Sequence, residues 1–98
     1  MEKDFYYAEL FELYKGLFTE RQREIFSSHY SFDLSLGEIA ESAGITRQSV
    51  LDTLKKVKEK LDFYERELGL KKLYDEIYKI AEKTDQDTSA KLKDLIGI

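Results

Sequence analysis

Proline, cysteine and tryptophan are absent from this 98-residue chain, and glycine occurs only at positions 16, 37, 44, 69 and 97. Without proline and with so few glycines the backbone meets few obligatory breaks, so helices joined by short connections fit better than a turn-rich β-sandwich. The missing cysteines remove a disulfide framework, a thiolate zinc site and a Cys nucleophile, and the single histidine, His29, cannot supply the usual imidazole set of a catalytic metal. No cofactor is expected. No window approaches the roughly 18 apolar residues of a membrane span, and Met1-Glu2-Lys3-Asp4 lacks the cationic and apolar regions of a secretory leader. The expected location is the cytoplasm.

What is present has a globular balance, 42% apolar and 37% charged residues, which suits one small core. The net charge of −4 is unevenly spread: residues 1–18 carry −2, 19–34 carry −1, 35–60 carry +1 and 61–98 carry −2. Duplex-binding domains present strongly basic faces, so a nucleic-acid role here would have to be local.

The spacing of the apolar residues predicts an all-α fold of about five helices. Tyr7, Leu10, Phe11, Tyr14, Leu17 and Phe18 fall on one stripe of a first helix over about 4–17. Thr19-Glu-Arg-Gln22 is a capping box that opens a second helix with Ile25, Phe26, His29 and Tyr30 inward. Ser35-Leu-Gly-Glu38 repeats that signature and starts a short third helix with Leu36, Ile39, Ala40 and Ala43 inward, closed by Gly44. Thr46 caps a long fourth helix whose Val50, Leu54, Val57, Leu61, Tyr64 and Leu68 form a heptad seam, ended by Gly69. A fifth helix over about 70–83 would bury Leu70, Leu73, Tyr74, Ile77, Ile80 and Ala81. These segments make a single domain over 1–83, leaving 84–98 as a tail, a short helix around Leu92, Leu95 and Ile96 or a frayed end.

Residues 35–61 hold the most informative pattern: a short helix, a turn with Gly44, the apolar plug Ile45, and a second helix anchored by Val50 and Leu54, with small Ala40 at the crossing. That is the layout of a helix-turn-helix, whose second helix can enter a groove. An αα-corner without a ligand has the same outline.

Phe18-Thr-Glu-Arg-Gln-Arg-Glu-Ile25, Leu34-Ser-Leu-Gly-Glu-Ile-Ala40 and Gly44-Ile-Thr-Arg-Gln-Ser-Val50 resemble the C-terminal promoter-reading domain of bacterial sigma factors. The whole chain over about 5–83 more closely resembles the YlxM-like family of small bacterial helix-turn-helix proteins, through the aromatic first helix, Leu36-Gly-Glu-Ile-Ala40, Arg47-Gln-Ser-Val50 and the lysine-bearing fourth helix ending Tyr64-Glu-Arg-Glu-Leu68. The family resemblance implies an accessory or regulatory role in the signal recognition particle pathway, through the particle's RNA or its GTPase. The sigma resemblance implies instead a transcription regulator bound to duplex DNA. A third reading is a dimeric interaction module without nucleic-acid binding.

The exposed positions bear on this choice. At about 100° per residue, the face of the fourth helix opposite Val50, Leu54 and Val57 is made by Gln48, Asp52, Lys55, Lys56, Glu59 and Asp62. Carboxylates there repel a phosphate backbone, although Arg47 and Gln48 have the chemistry to read guanine and adenine edges. Arg21 and Arg23, with Lys55, Lys56, Lys58 and Lys60, form a candidate patch for the backbone of a structured RNA; the alternative is a set of solvated partners for Glu20, Glu24 and Glu59. The candidate ligand face is therefore Arg21, Arg23, Arg47, Gln48, Lys55 and Lys56, with Leu51 on its flank as a partner contact.

The heptad seam reads as the core face of the fourth helix, or in its distal half, together with the fifth helix, as a homodimer contact. Nine of thirteen aromatics precede residue 33 and are read as core, Tyr6 excepted. His29 is read as a half-buried packing residue. No nucleophile with a base, no paired carboxylates and no phosphate-binding glycine loop occur at catalytic spacings, so an enzyme is not expected. Asp85-Gln-Asp87 starts like a calcium loop but lacks its glycine and terminal glutamate.

Overall fold

A computed structural model describes residues 5–97 of the protein. Among them six α-helices follow one another and no strand occurs. The helices are α1 (Phe5–Tyr14), α2 (Glu20–Tyr30), α3 (Leu36–Ala43), α4 (Arg47–Leu68), α5 (Leu70–Glu82) and α6 (Gln86–Leu95). Asp4, the expected first residue of α1, and Ile98 lie outside the described residues.

Each expected start is made by the chemistry that predicted it. Thr19 Oγ1 accepts the Gln22 N–H at 3.1 Å while Gln22 Oε1 accepts the Thr19 N–H at 3.0 Å. The Ser35–Glu38 box is equally reciprocal, and Thr46 Oγ1 accepts the Ser49 N–H at 3.0 Å. Between α3 and α4, Gly44 sits in the left-handed region at φ 69°, and the Ile45 N–H returns to the Ala40 carbonyl at 3.0 Å, the long closing bond of a Schellman turn. A side chain at φ near +69° is strained even though nothing crowds a Cβ there.

Contacts group the chain into two compact units, 1–67 and 68–98. In the first, α1 to α4 enclose Leu10, Phe11, Tyr14, Phe18, Ile25, Phe26, Ile39, Ala40, Val50, Leu54, Val57 and Leu61, all buried. Burial of each large side chain contributes about 1.5–3 kcal/mol. Phe11 stacks on Phe26 at 4.4 Å between ring centroids, and Phe26 on Tyr30 at 4.3 Å. The seam of α4 behaves as core face as far as Tyr64, half-buried against Tyr14 and Phe18, while Leu68 leaves it at 59% exposed.

In the 1–67 unit three side chains depart from the expected interior. Leu17 is exposed because α1 ends at Tyr14 and continues as a 3₁₀ turn, Lys15–Leu17, whose three residues per turn rotate it off the α-helical stripe. Phe5 and Phe32, expected in the core with the other early aromatics, are also exposed. Phe5 stands two residues before the stripe, and Phe32 follows the end of α2, where helical periodicity no longer directs a side chain.

The second unit is the pair α5 and α6. The segment from 84, read as a short helix or a frayed tail, forms a helix that packs with α5: Asp85 caps it by accepting the Thr88 N–H at 2.9 Å, and Lys93 pairs with Glu82 at 2.6 Å while lying over the Tyr78 ring. Ala81 is buried, whereas Leu73 and Ile80, expected inward, are 52% and 59% exposed. One 13-residue helix with a partner on one side cannot bury a stripe that spans more than that side.

Candidate functional site

Most of the candidate site residues lie on α4, which is held by its buried face and presents the rest outward. Arg47 and Gln48 occupy its first turn, exposed, just beyond the Thr46 cap. Further along, Asp52, Lys55, Lys56, Glu59 and Asp62 are all exposed, as the helical wheel predicts. Arg47, Lys55 and Lys56 make no ion pair or hydrogen bond among the described residues. Gln48 is engaged: its Nε2 donates to Asp52 Oδ1 at 2.9 Å, so reading a base edge would require breaking that bond.

The two arginines of α2 make contacts within the fold that the sequence does not announce. Arg21 Nη1 donates to the Ala43 carbonyl at 3.2 Å, placing a positive charge on the orphan carbonyls at the C-terminal end of α3, where the helix dipole favours it. Arg23, half-buried, donates from Nη1 to the Phe18 carbonyl at 2.6 Å and reaches the Lys15 carbonyl at 3.5 Å. It ties down the turn between α1 and α2. Planar guanidinium donors suit such carbonyl sets. Both arginines of the expected patch thus also hold backbone carbonyls of the fold, and neither pairs with Glu20 or Glu24.

Beside the outward face lies an open groove of about 640 Å³, lined by Tyr7, His29, Tyr30, Ser35, Leu36, Leu51, Leu54, Lys55, Lys58, Glu59 and Asp62. Leu51 is 40% exposed on its edge. Two residues organise it, Lys58 of the expected basic patch and Asp62 of the exposed α4 face. Lys58 holds its ammonium 5.3 Å from the Tyr7 ring and 5.5 Å from the Tyr30 ring, a double cation–π contact. Asp62 accepts the Tyr7 O–H at 2.9 Å. In sequence Lys58 is one lysine of a run, and only its position near the buried edge of α4 distinguishes it. His29 is half-buried as expected, with Nδ1 3.3 Å from the Leu34 carbonyl and its ring edge-on to Tyr30.

Among the described residues, no cluster of three or more His, Cys, Asp and Glu side chains comes together to hold a metal ion, and no helix is long and apolar enough to cross a membrane.

A capped short helix, a left-handed glycine turn and a long helix with one face exposed define an all-α helix-turn-helix protein. The chain belongs to the UPF0122 family of helix-turn-helix proteins, YlxM / p13 like, which it matches over residues 1–96. It is 48% identical over 84 residues to a UPF0122 protein of Caldanaerobacter subterraneus, covering 85% of this chain and 72% of that protein. A relative in Thermoanaerobacter pseudethanolicus is 47% identical over 78 residues, 79% of this chain and 67% of its own length. One in Bacillus cereus is 40% identical over 77 residues, 79% and 70% of the two chains.

Proposed function

We propose that this chain is a non-enzymatic accessory protein of the signal recognition particle pathway, acting through the outward face of α4 on the particle's GTPase or its RNA. The pathway follows from the resemblance to YlxM-like proteins. The surface follows from one observation: Arg47, Lys55 and Lys56 stand exposed and unpaired on a helix face they share with Asp52, Glu59 and Asp62. A face of mixed sign suits the mixed charges of another protein, where complementarity sets specificity. On a phosphate backbone the three carboxylates oppose every approach the cations favour. With Arg21 and Arg23 engaged on backbone carbonyls, the GTPase is the preferred contact and the RNA the second.

The duplex reading retains one supporting feature, Arg47 in the first turn of α4, the place from which a helix-turn-helix contacts base edges. Titrating the purified GTPase, the particle's RNA and duplex DNA against this protein over a salt series separates the three. The proposal expects saturable binding to the GTPase or the RNA, weakened roughly tenfold by the pair Lys55→Glu and Lys56→Glu, a loss of about 1.4 kcal/mol. Steeply salt-dependent duplex binding that is abolished by Arg47→Ala would overturn it.

A further inference from the structure

Asp52 stands at the centre of the outward face of α4. Its neighbours one turn away are Gln48 on one side and Lys55 and Lys56 on the other, all exposed. Both lysines are at spacings that form ion pairs on a helix, yet Asp52 makes none among the described residues. Its Oδ1 accepts instead from Gln48 Nε2 at 2.9 Å. The carboxylate therefore keeps an unpaired negative charge on this face and turns the Gln48 amide back along the helix.

Arg47 and Gln48 lie in the first turn of α4, the part of a helix-turn-helix that meets base edges. Reading adenine requires the amide oxygen and nitrogen of a glutamine to face outward together, and Asp52 holds the nitrogen. The same carboxylate opposes the phosphates that Arg47, Lys55 and Lys56 would attract. Of the three carboxylates on the outward face only Asp52 is close enough to act on that turn. It is four residues from Gln48, about 6 Å along the axis, whereas Glu59 and Asp62 are about 16 and 21 Å away, beyond the Debye length of about 8–10 Å.

We propose that Asp52 is the specificity-determining residue of this helix-turn-helix, excluding duplex DNA from the outward face of α4 by repelling phosphates and holding the Gln48 amide. Specificity is a difference of affinities, and a repulsive group sets it as effectively as an attractive one. A partner protein can meet the same carboxylate with a cation, which a phosphate backbone cannot. The inference rests on the outward face of α4 being the binding surface, and not on which protein or RNA occupies it.

Fluorescence anisotropy of a short labelled duplex of mixed sequence, titrated with the full chain over a salt series, tests it. The wild-type chain is expected to bind weakly. Asp52→Asn, which removes the charge and keeps an acceptor for Gln48, is expected to bind at least about threefold more tightly at low salt. Asp52→Ala, which also releases Gln48, binds more tightly still, and both gains shrink as salt rises. Glu12→Gln makes the same change of charge on α1, two residues before Tyr14, which meets Glu65 thirteen residues or about 20 Å along α4 from Asp52. That control is expected to bind as the wild type does. Position 52 is exposed, and circular dichroism checks that the helices persist. The proposal is overturned if neither Asp52 variant binds the duplex more tightly than Glu12→Gln. Equal affinities of the Asn and Ala variants overturn the part assigned to Gln48. Tight duplex binding by the wild-type chain counts against the pathway reading, while a further gain on changing Asp52 still supports this one, so the two fail separately.

Discussion

Tyr14 donates its phenolic O–H to Glu65 Oε1 at 2.8 Å, joining the last residue of α1 to the closing turns of α4 across 51 positions of sequence. The ring behind that hydroxyl is 2% exposed and lies 5.8 Å from the Tyr64 ring. One side chain therefore contributes apolar packing to the core and a charge-assisted bond at its edge, and α1 and α4 are held in register by both.

Tyr14→Phe separates the two contributions. The ring stays and the bond is lost, which is expected to lower stability by about 1 kcal/mol and the melting temperature by about 4–8 °C, with unchanged helix content. Adding Glu65→Ala to Tyr14→Phe is expected to cost less than the two single changes summed. A melting temperature indistinguishable from wild type would show that the bond does not hold the two helices together.

Arg23 gives the sharpest contrast between fold and ligand binding. Its guanidinium closes the turn after Phe18, so Arg23→Ala is expected to destabilise by about 1 kcal/mol while leaving partner affinity at the wild-type level. Lys56→Ala is expected to do the reverse. Chemical denaturation alongside binding titrations of both variants checks this, and a lower affinity for folded Arg23→Ala would return that residue to the ligand face.

The helix starts, the left-handed Gly44 and the buried face of α4 were legible in the sequence because each depends on residues close together in the chain. Capping boxes need a spacing of three, a left-handed turn needs a glycine, and a seam needs its period. The exposed face of α4 follows from the same period. The roles of Arg21 and Arg23 depended on which carbonyls the fold brings near them, Ala43 being 22 positions from Arg21, and no local pattern encodes that. The groove was hidden for the same reason: Tyr7, Tyr30 and Lys58 come from three helices. Leu73 and Ile80 were misplaced because periodicity marks an apolar face without saying how much of it has a partner. Resemblance to known sequences, rather than any spacing, carried the family.

The capping box at α3 makes part of the stability depend on pH. The Glu38 carboxyl is held below its ordinary value of 4.5 by the hydrogen bond it accepts from the Ser35 N–H, with the Ser35 hydroxyl adding to the effect. A carboxyl whose folded value is depressed binds fewer protons folded than unfolded, so its contribution is fully present above about pH 4.5 and is lost as pH falls through the lower folded value. Asp85, held below its ordinary 3.8 chiefly by the Thr88 N–H, acts in the same direction on α6. Glu38→Gln keeps an acceptor at that position without the ionisation. Its stability is expected to fall less steeply than wild type between pH 5 and pH 3, on the order of the carboxyl range. Parallel slopes for the two proteins would remove Glu38 as a source of the acid sensitivity.

Ala81 lies on α5, the helix that packs with α6. It is 1% exposed, the one buried apolar residue among the described residues of the 68–98 unit, and near it Lys93 of α6 reaches Glu82 at 2.6 Å. Ala81→Leu inserts three carbons where no space is left, with an overpacking penalty of about 1–3 kcal/mol. A 10-residue helix has little stability of its own, so the strain is expected to release α6 rather than distort α5. Hydrogen exchange should then show protection lost over 86–95 and retained in α1 to α4, because the core of the 1–67 unit contains no residue from α6. Exchange that accelerates across the whole chain instead would mean that α6 and the helix-turn-helix unfold as one cooperative body, and would make the C-terminal pair part of what keeps α4 in place.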